Sequence, residues 1–172
     1  MVRCESPELR AFNALPAPEA ERALLTCCSS PRWARTVGAG RPYPDLGALC
    51  AAADAALVAL SEEEVNDSLS GHPRIGGRAE GAWSRREQSG LMGADEATVT
   101  ALAEANRTYE HTFGHIYLVC ATGMGAPELL AGLRSRLDNN PATERLVLLQ
   151  ELAKINRVRL HRLLTAEAPW VP

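Results

Sequence analysis

HIYLVCA, residues 115–121, is the stretch whose reading decides the fold. Its β-branched, aromatic and apolar side chains have the composition of a buried strand. A strand must pair its backbone N–H and C=O groups with a neighbour, and the chain offers no obvious partner run. The segment is therefore read as a buried, extended connector, and the fold as all-α.

Helix signals lie on both sides of it. Upstream, Val99, Leu102, Asn106, Tyr109 and Phe113 recur at intervals of three and four within 94–113, and Gly114 supplies a stop. Downstream, Pro127 opens a run carrying Leu129, Leu130, Leu133 and Leu137, and Asn140-Pro141 opens the longest, reaching about Leu164. Towards the N-terminus, Ser6-Pro7-Glu8 opens a short run to Leu15 and Pro18-Glu19 a second with Leu24 and Leu25. Ser30-Pro31 starts a third around Trp33 and Val37. Asp45 caps a run whose apolar positions from Leu46 to Leu60 follow the helical period. Ser61-Glu62-Glu63-Glu64 then forms a capping box for a helix ending near Gly71. No repeat, low-complexity tract or convincing linker divides the chain. The expectation is a single domain over 1–172, a bundle of roughly eight helices.

The 172 residues, 46% apolar and 23% charged, suffice to bury a core without staples. A net charge of −3, with both signs interspersed, gives no footprint for nucleic acid or an anionic membrane. Five cysteines, an odd number without CxxC spacing, argue against a disulfide framework or a zinc site and for a reducing compartment. The apolar run 49–60 is short and interrupted by Asp54, so no membrane span is expected. The first residues lack an apolar signal core, and Trp170-Val171-Pro172 carries no peroxisomal address. The expected location is the cytoplasm.

Three features break the helical pattern. His72 lies between Gly71 and Pro73, and the proline holds it in an extended turn instead of on a helix face. Such a histidine is either a surface residue or, with a carboxylate partner, a proton donor near neutrality. Ser84-Arg85-Arg86-Glu87 reads equally as a capping box or as chemistry, with Glu87 orienting a histidine and Gln88 bonding a polar ligand. Arg159 falls on the apolar stripe Leu149, Leu152, Ile155, Leu160, Leu163, whereas Lys154 and Arg157 fall off its centre. An inward arginine requires a partner, because an unpaired buried charge costs several kcal/mol. It is either a salt-bridged stripe-edge residue or an anchor for an anion or carbonyl. His111 and His115 are four apart, but Gly114 ends the helix between them and no HExxH context exists, so no metal site is expected. Cys27-Cys28 reads as helix packing.

Taken together, GHPRIGGRA (71–79), SRREQSGL (84–91), ALAEANRTYEHTFGHIYLVCATG (101–123) and ERLVLLQELAKINRVRLHRLL (144–164) resemble the OHCU decarboxylase family, and FNALPAPEAERALL (12–25) resembles its opening. OHCU is 2-oxo-4-hydroxy-4-carboxy-5-ureidoimidazoline, an intermediate of urate breakdown. The resemblance implies cofactor-free decarboxylation of this small molecule to (S)-allantoin, the substrate ring itself delocalising the electron pair. It implies catalytic roles for His72, Glu87 and Arg159, and substrate contacts at Pro73, Ser84, Arg85, Arg86, Glu87 and Gln88. It further implies contacts along Tyr117, Leu118, Val119, Cys120 and Ala121, and a homodimer. Phe113-Gly114-His115-Ile116-Tyr117 departs from the family's Phe-Gly-Phe/Tyr-Pro-Phe, which alters the pocket wall and removes no catalytic group. The short loop between His72 and Glu87 looks like the bacterial form. Two other readings compete: a helical interaction module that kept the fold without the reaction, and a metal-dependent hydrolase.

Overall fold

The computed structural model describes residues 6–75 and 93–165. Among these it contains eight helices and no strand. They are α1 (Pro7–Ala14), α2 (Ala17–Leu25), α3 (Pro31–Ala39), α4 (Leu46–Val58), α5 (Glu62–Leu69), α6 (Glu96–Phe113), α7 (Ala126–Leu137) and α8 (Pro141–Leu163). The all-α expectation is met. Helix starts follow the capping chemistry: Ser6, Ser30, Asp45 and Asp95 each accept a backbone N–H from the first turn. Ser61 and Glu64 form the expected reciprocal box. The helix expected from Ser84 lies outside the described residues.

The chain falls into two compact units, one of residues 1–71 with 153–172 and the other of residues 72–152. In the first, Leu9, Phe12, Leu24, Trp33, Leu49 and Leu57 form the core with Ile155, Leu160 and Leu163 of α8. The buried indole of Trp33 donates to the Ala53 carbonyl at 2.8 Å and so ties α3 to α4. Arg41 closes two helix ends. Its guanidinium donates to the Phe12 and Leu15 carbonyls at 2.7 and 2.8 Å and to Gly38 O at 2.9 Å, satisfying carbonyls that a helix terminus leaves open. Gly71 sits tightly against Ser29, where a Cβ would meet Ser29 Oγ at 2.0 Å.

The second unit packs Ile75, Leu102, Tyr109, Tyr117, Ala121, Leu129 and Leu133. Gly114 ends α6 at φ +76°, the left-handed conformation that glycine adopts without steric cost. Residues 115–121 then run through the core without regular structure, as expected. Side chains take the place of a partner strand. Arg136 of α7 donates to the Leu118 carbonyl at 2.6 Å, and Glu151 of α8 accepts the Cys120 N–H at 2.8 Å. In this way two backbone groups of a strand-like sequence find partners without a neighbouring strand.

Candidate active site

His72 is buried, with 8% of its surface exposed. The two residues after Pro73 are attached to α6. Arg74 makes a two-pronged ion pair with Glu110, Nη2 to Oε2 at 2.7 Å, which draws the Glu110 carboxyl below its usual range. Asn106 Nδ2 donates to the Ile75 carbonyl at 3.0 Å, and the Ile75 side chain sits in the core. Ser84, Arg85, Arg86, Glu87 and Gln88 lie outside the described residues.

Arg159 is buried in the first unit at 5% exposure, on the stripe its spacing assigned to it. Its Nη1 donates to the Cys27 carbonyl at 3.2 Å, just beyond the end of α2. Arg157, two residues earlier, is exposed and pairs instead with Asp54, Nε to Oδ2 at 3.0 Å. The helical wheel had separated these two arginines, and the structure separates them in the same sense. Burial pushes the Cys27 thiol up to about 12 and raises Cys28 as well, so neither is a thiolate near neutrality.

Within 117–121, Tyr117, Leu118 and Ala121 are buried while Val119 and Cys120 are half-buried. The Tyr117 ring packs edge-on to Tyr109, and the Arg136 guanidinium lies 4.7 Å from its centre. Because the Cys120 N–H is engaged by Glu151, this amide is not among those open to a ligand.

Sequence reasoning missed the network behind this segment. Glu144, fully buried, accepts from Arg136 Nε at 2.8 Å, from Asn139 Nδ2 at 2.8 Å and from the Tyr109 hydroxyl. Burial alone would raise the Glu144 carboxyl, but these donors hold it below its ordinary value. Burial and the bond to Glu144 push the Tyr109 hydroxyl up. A signal existed: Arg136 is three after Leu133 and seven after Leu129, and Glu144 is four before Leu148, so both are charges on apolar stripes, like Arg159.

Among the described residues, no three His, Cys, Asp or Glu side chains gather as metal ligands. His115 instead packs its ring against Tyr109 and Phe113, at centroid distances of 5.6 and 6.2 Å. No helix among the described residues is long and apolar enough to cross a membrane.

Residues 13–161 match the protein-family model described as OHCU decarboxylase. The chain is 29% identical over 150 residues to the uric acid degradation bifunctional protein TTL of Arabidopsis thaliana, a match covering 83% of this chain. It spans 46% of that relative's length, less than half. It is 30% identical over 142 residues to the 2-oxo-4-hydroxy-4-carboxy-5-ureidoimidazoline decarboxylase of Amia calva, covering 78% of this chain and 81% of that one. Among solved structures, it resembles an OHCU decarboxylase crystallised in the presence of (S)-allantoin, with a TM-score of 0.73 and 26% identity over 81% of this chain and 95% of the other. An (S)-allantoin synthase structure shares the fold at a TM-score of 0.71 and 19% identity, covering 89% of this chain and 52% of that one.

Proposed function

The chain belongs to the OHCU decarboxylase family, and on that premise we propose that it converts OHCU to (S)-allantoin in urate degradation, without a cofactor. The bond from the ring carbon to the carboxylate breaks and carbon dioxide leaves. Its electron pair passes into the conjugated imine and carbonyl of the imidazoline ring, which serves as the sink that other decarboxylases obtain from a bound group. A proton then returns to that carbon from one face, fixing the S product.

His72 is the general acid/base and Glu87 its partner, orienting the imidazole for proton transfer. Arg159 anchors an anionic or carbonyl oxygen of the substrate and stabilises charge as it spreads. Leu118 and Val119 favour a carboxylate becoming neutral carbon dioxide, while Ser84 and Gln88 bond the polar ureido or ring groups. Pro73, Arg85 and Arg86 complete the contacts on the His72 and Glu87 sides. The observation that carries this reading is a buried histidine whose following residues are fixed to a helix, the arrangement a proton donor needs to favour one face.

The decisive experiment generates OHCU freshly and follows circular dichroism as protein is added. Optically active allantoin, formed faster than the spontaneous racemic decay, is the expected result; an unchanged racemic decay refutes the reaction. His72→Ala and Glu87→Ala should each lower the rate by about 100-fold or more, the usual size of a general acid/base contribution. Full activity in both would refute these roles even if the reaction stands.

The proposal extends to one functional domain over 1–172, working as a cytoplasmic homodimer. Val58 and Leu25, exposed on the first unit, supply apolar surface for such an interface. Light scattering on the purified protein should return twice the 18.5 kDa chain mass; a monomer at micromolar concentration refutes the dimer.

A further inference from the structure

Asn106 is a misfit on α6. It occupies the apolar stripe between Leu102 and Tyr109 and is only 4% exposed. A leucine would fill this position without the desolvation that a buried carboxamide suffers unless its polar atoms are bonded. Both Nδ2 hydrogens are in use. One bonds the Leu102 carbonyl within α6 at 3.0 Å, and the other leaves the helix to reach the Ile75 carbonyl at 3.0 Å. The first could be omitted with no loss to the helix ladder. The second is a tether 31 residues long in sequence, and it ends three residues from His72.

The residues between are restricted as well. Pro73 fixes its own φ and limits the backbone of His72. Arg74 is paired to Glu110, which stands one helical turn after Asn106 on the same side of α6. Ile75 is held by its carbonyl through Asn106 and by its side chain in the core. Of these ties, the Arg74–Glu110 pair is largely exposed and therefore weak and screened by salt. The Asn106 bond is buried, so it dominates.

We propose that Asn106 is a positioning residue for the reaction, setting where the His72 imidazole stands by fixing the backbone at residue 75. The proposal rests on the role assigned to His72 above. It acts on geometry alone, so its effect falls on the proton-delivery step and not on substrate affinity.

Asn106→Leu keeps the volume and the apolar stripe while removing the tether. With freshly generated OHCU, kcat should fall about 10- to 100-fold with KM within about twofold, the size expected for a misplacement on the order of 1 Å. The variant should still fold and melt cooperatively, because losing the unbonded, buried Asn106 Oδ1 offsets the Ile75 carbonyl's loss of its donor. Asn106→Asp supplies the second arm. Burial favours the neutral carboxyl, whose O–H donates to Ile75 as Asn106 does, whereas the carboxylate only accepts. Its kcat relative to the parent should therefore decline as pH rises. A folded Asn106→Leu variant with parental kcat, or one changed in KM alone, overturns the proposal. So does an Asn106→Asp deficit independent of pH. His72→Ala separates the two levels: if it retains activity, the role of His72 has failed and this inference with it. If it loses activity while Asn106→Leu is unaffected, only the positioning role has failed.

Discussion

At the residue scale, three charges on apolar helix stripes, Arg136, Glu144 and Arg159, obey one rule: a buried charge persists only with fitted partners. Glu144 is the most consequential for stability, being buried with three donors around one carboxylate. Glu144→Gln leaves Arg136 without its counter-charge and should destabilise the fold by about 3–5 kcal/mol near neutrality. The pH dependence has a definite sign. The native carboxyl lies below its ordinary 4.5, so its stabilisation is fully present above that value and is lost as pH falls through the depressed one. Urea midpoints of parent and variant should therefore converge on acidification; a gap constant down to strongly acid pH would contradict the assignment. Arg159 was legible in the sequence because the stripe around it is long. Arg136 and Glu144 were equally misplaced, but their meaning depends on each other and on Tyr109, a pairing that no local pattern encodes.

At the scale of elements, helix starts were the most readable feature, since capping chemistry is written within four residues. Serine, aspartate and proline signals placed four openings within about one residue of where they occur, whereas the helix expected from 94, for which no cap was read, starts at Glu96 behind Asp95. Ends were less exact: the helix expected to reach Leu60 stops at Val58, where no strong C-terminal residue intervenes. Gly114 is the exception, a stop with a conformational reason. Gly114→Ala should destabilise by about 1–2 kcal/mol, because a Cβ at φ +76° meets the following carbonyl, and no other atom lies within 4 Å to add a clash. A loss well above that range in a thermal melt would point to a contact role instead. Residues 115–121 were read as a connector because no partner strand was found; the physical reason, two side chains bonding its backbone, appears only in three dimensions.

At the scale of the whole molecule, no linker marks where one compact unit gives way to the other. One boundary falls between Gly71 and His72 and the other inside α8, between Leu152 and Ala153. A helix interior carries no compositional shift, which is why the sequence read as undivided. The first unit is therefore discontinuous and incomplete until α8 is made. Ending the chain at Leu152 removes Ile155, Leu160 and Leu163 from its core, at about 1.5–3 kcal/mol each, a sum comparable with the roughly 5–15 kcal/mol of total stability in a protein of this kind. Such a chain should show no cooperative transition in the near-ultraviolet signal of its buried tryptophan, Trp33. A sharp melt would mean that residues 1–71 close on their own.

The connector at 115–121 has a further consequence, for solubility during synthesis and storage. An apolar, β-rich heptapeptide with open backbone groups is a template for cross-β growth. The Leu118 carbonyl and the Cys120 amide are two residues apart, the spacing at which an incoming strand would take up both, and Arg136 and Glu151 already occupy them. Both groups are thereby withheld from an incoming strand in the folded chain. Arg136→Leu, in which the Leu118 carbonyl loses its donor, should bind thioflavin T on mild heating before the parent does; equal lag times would refute this protection.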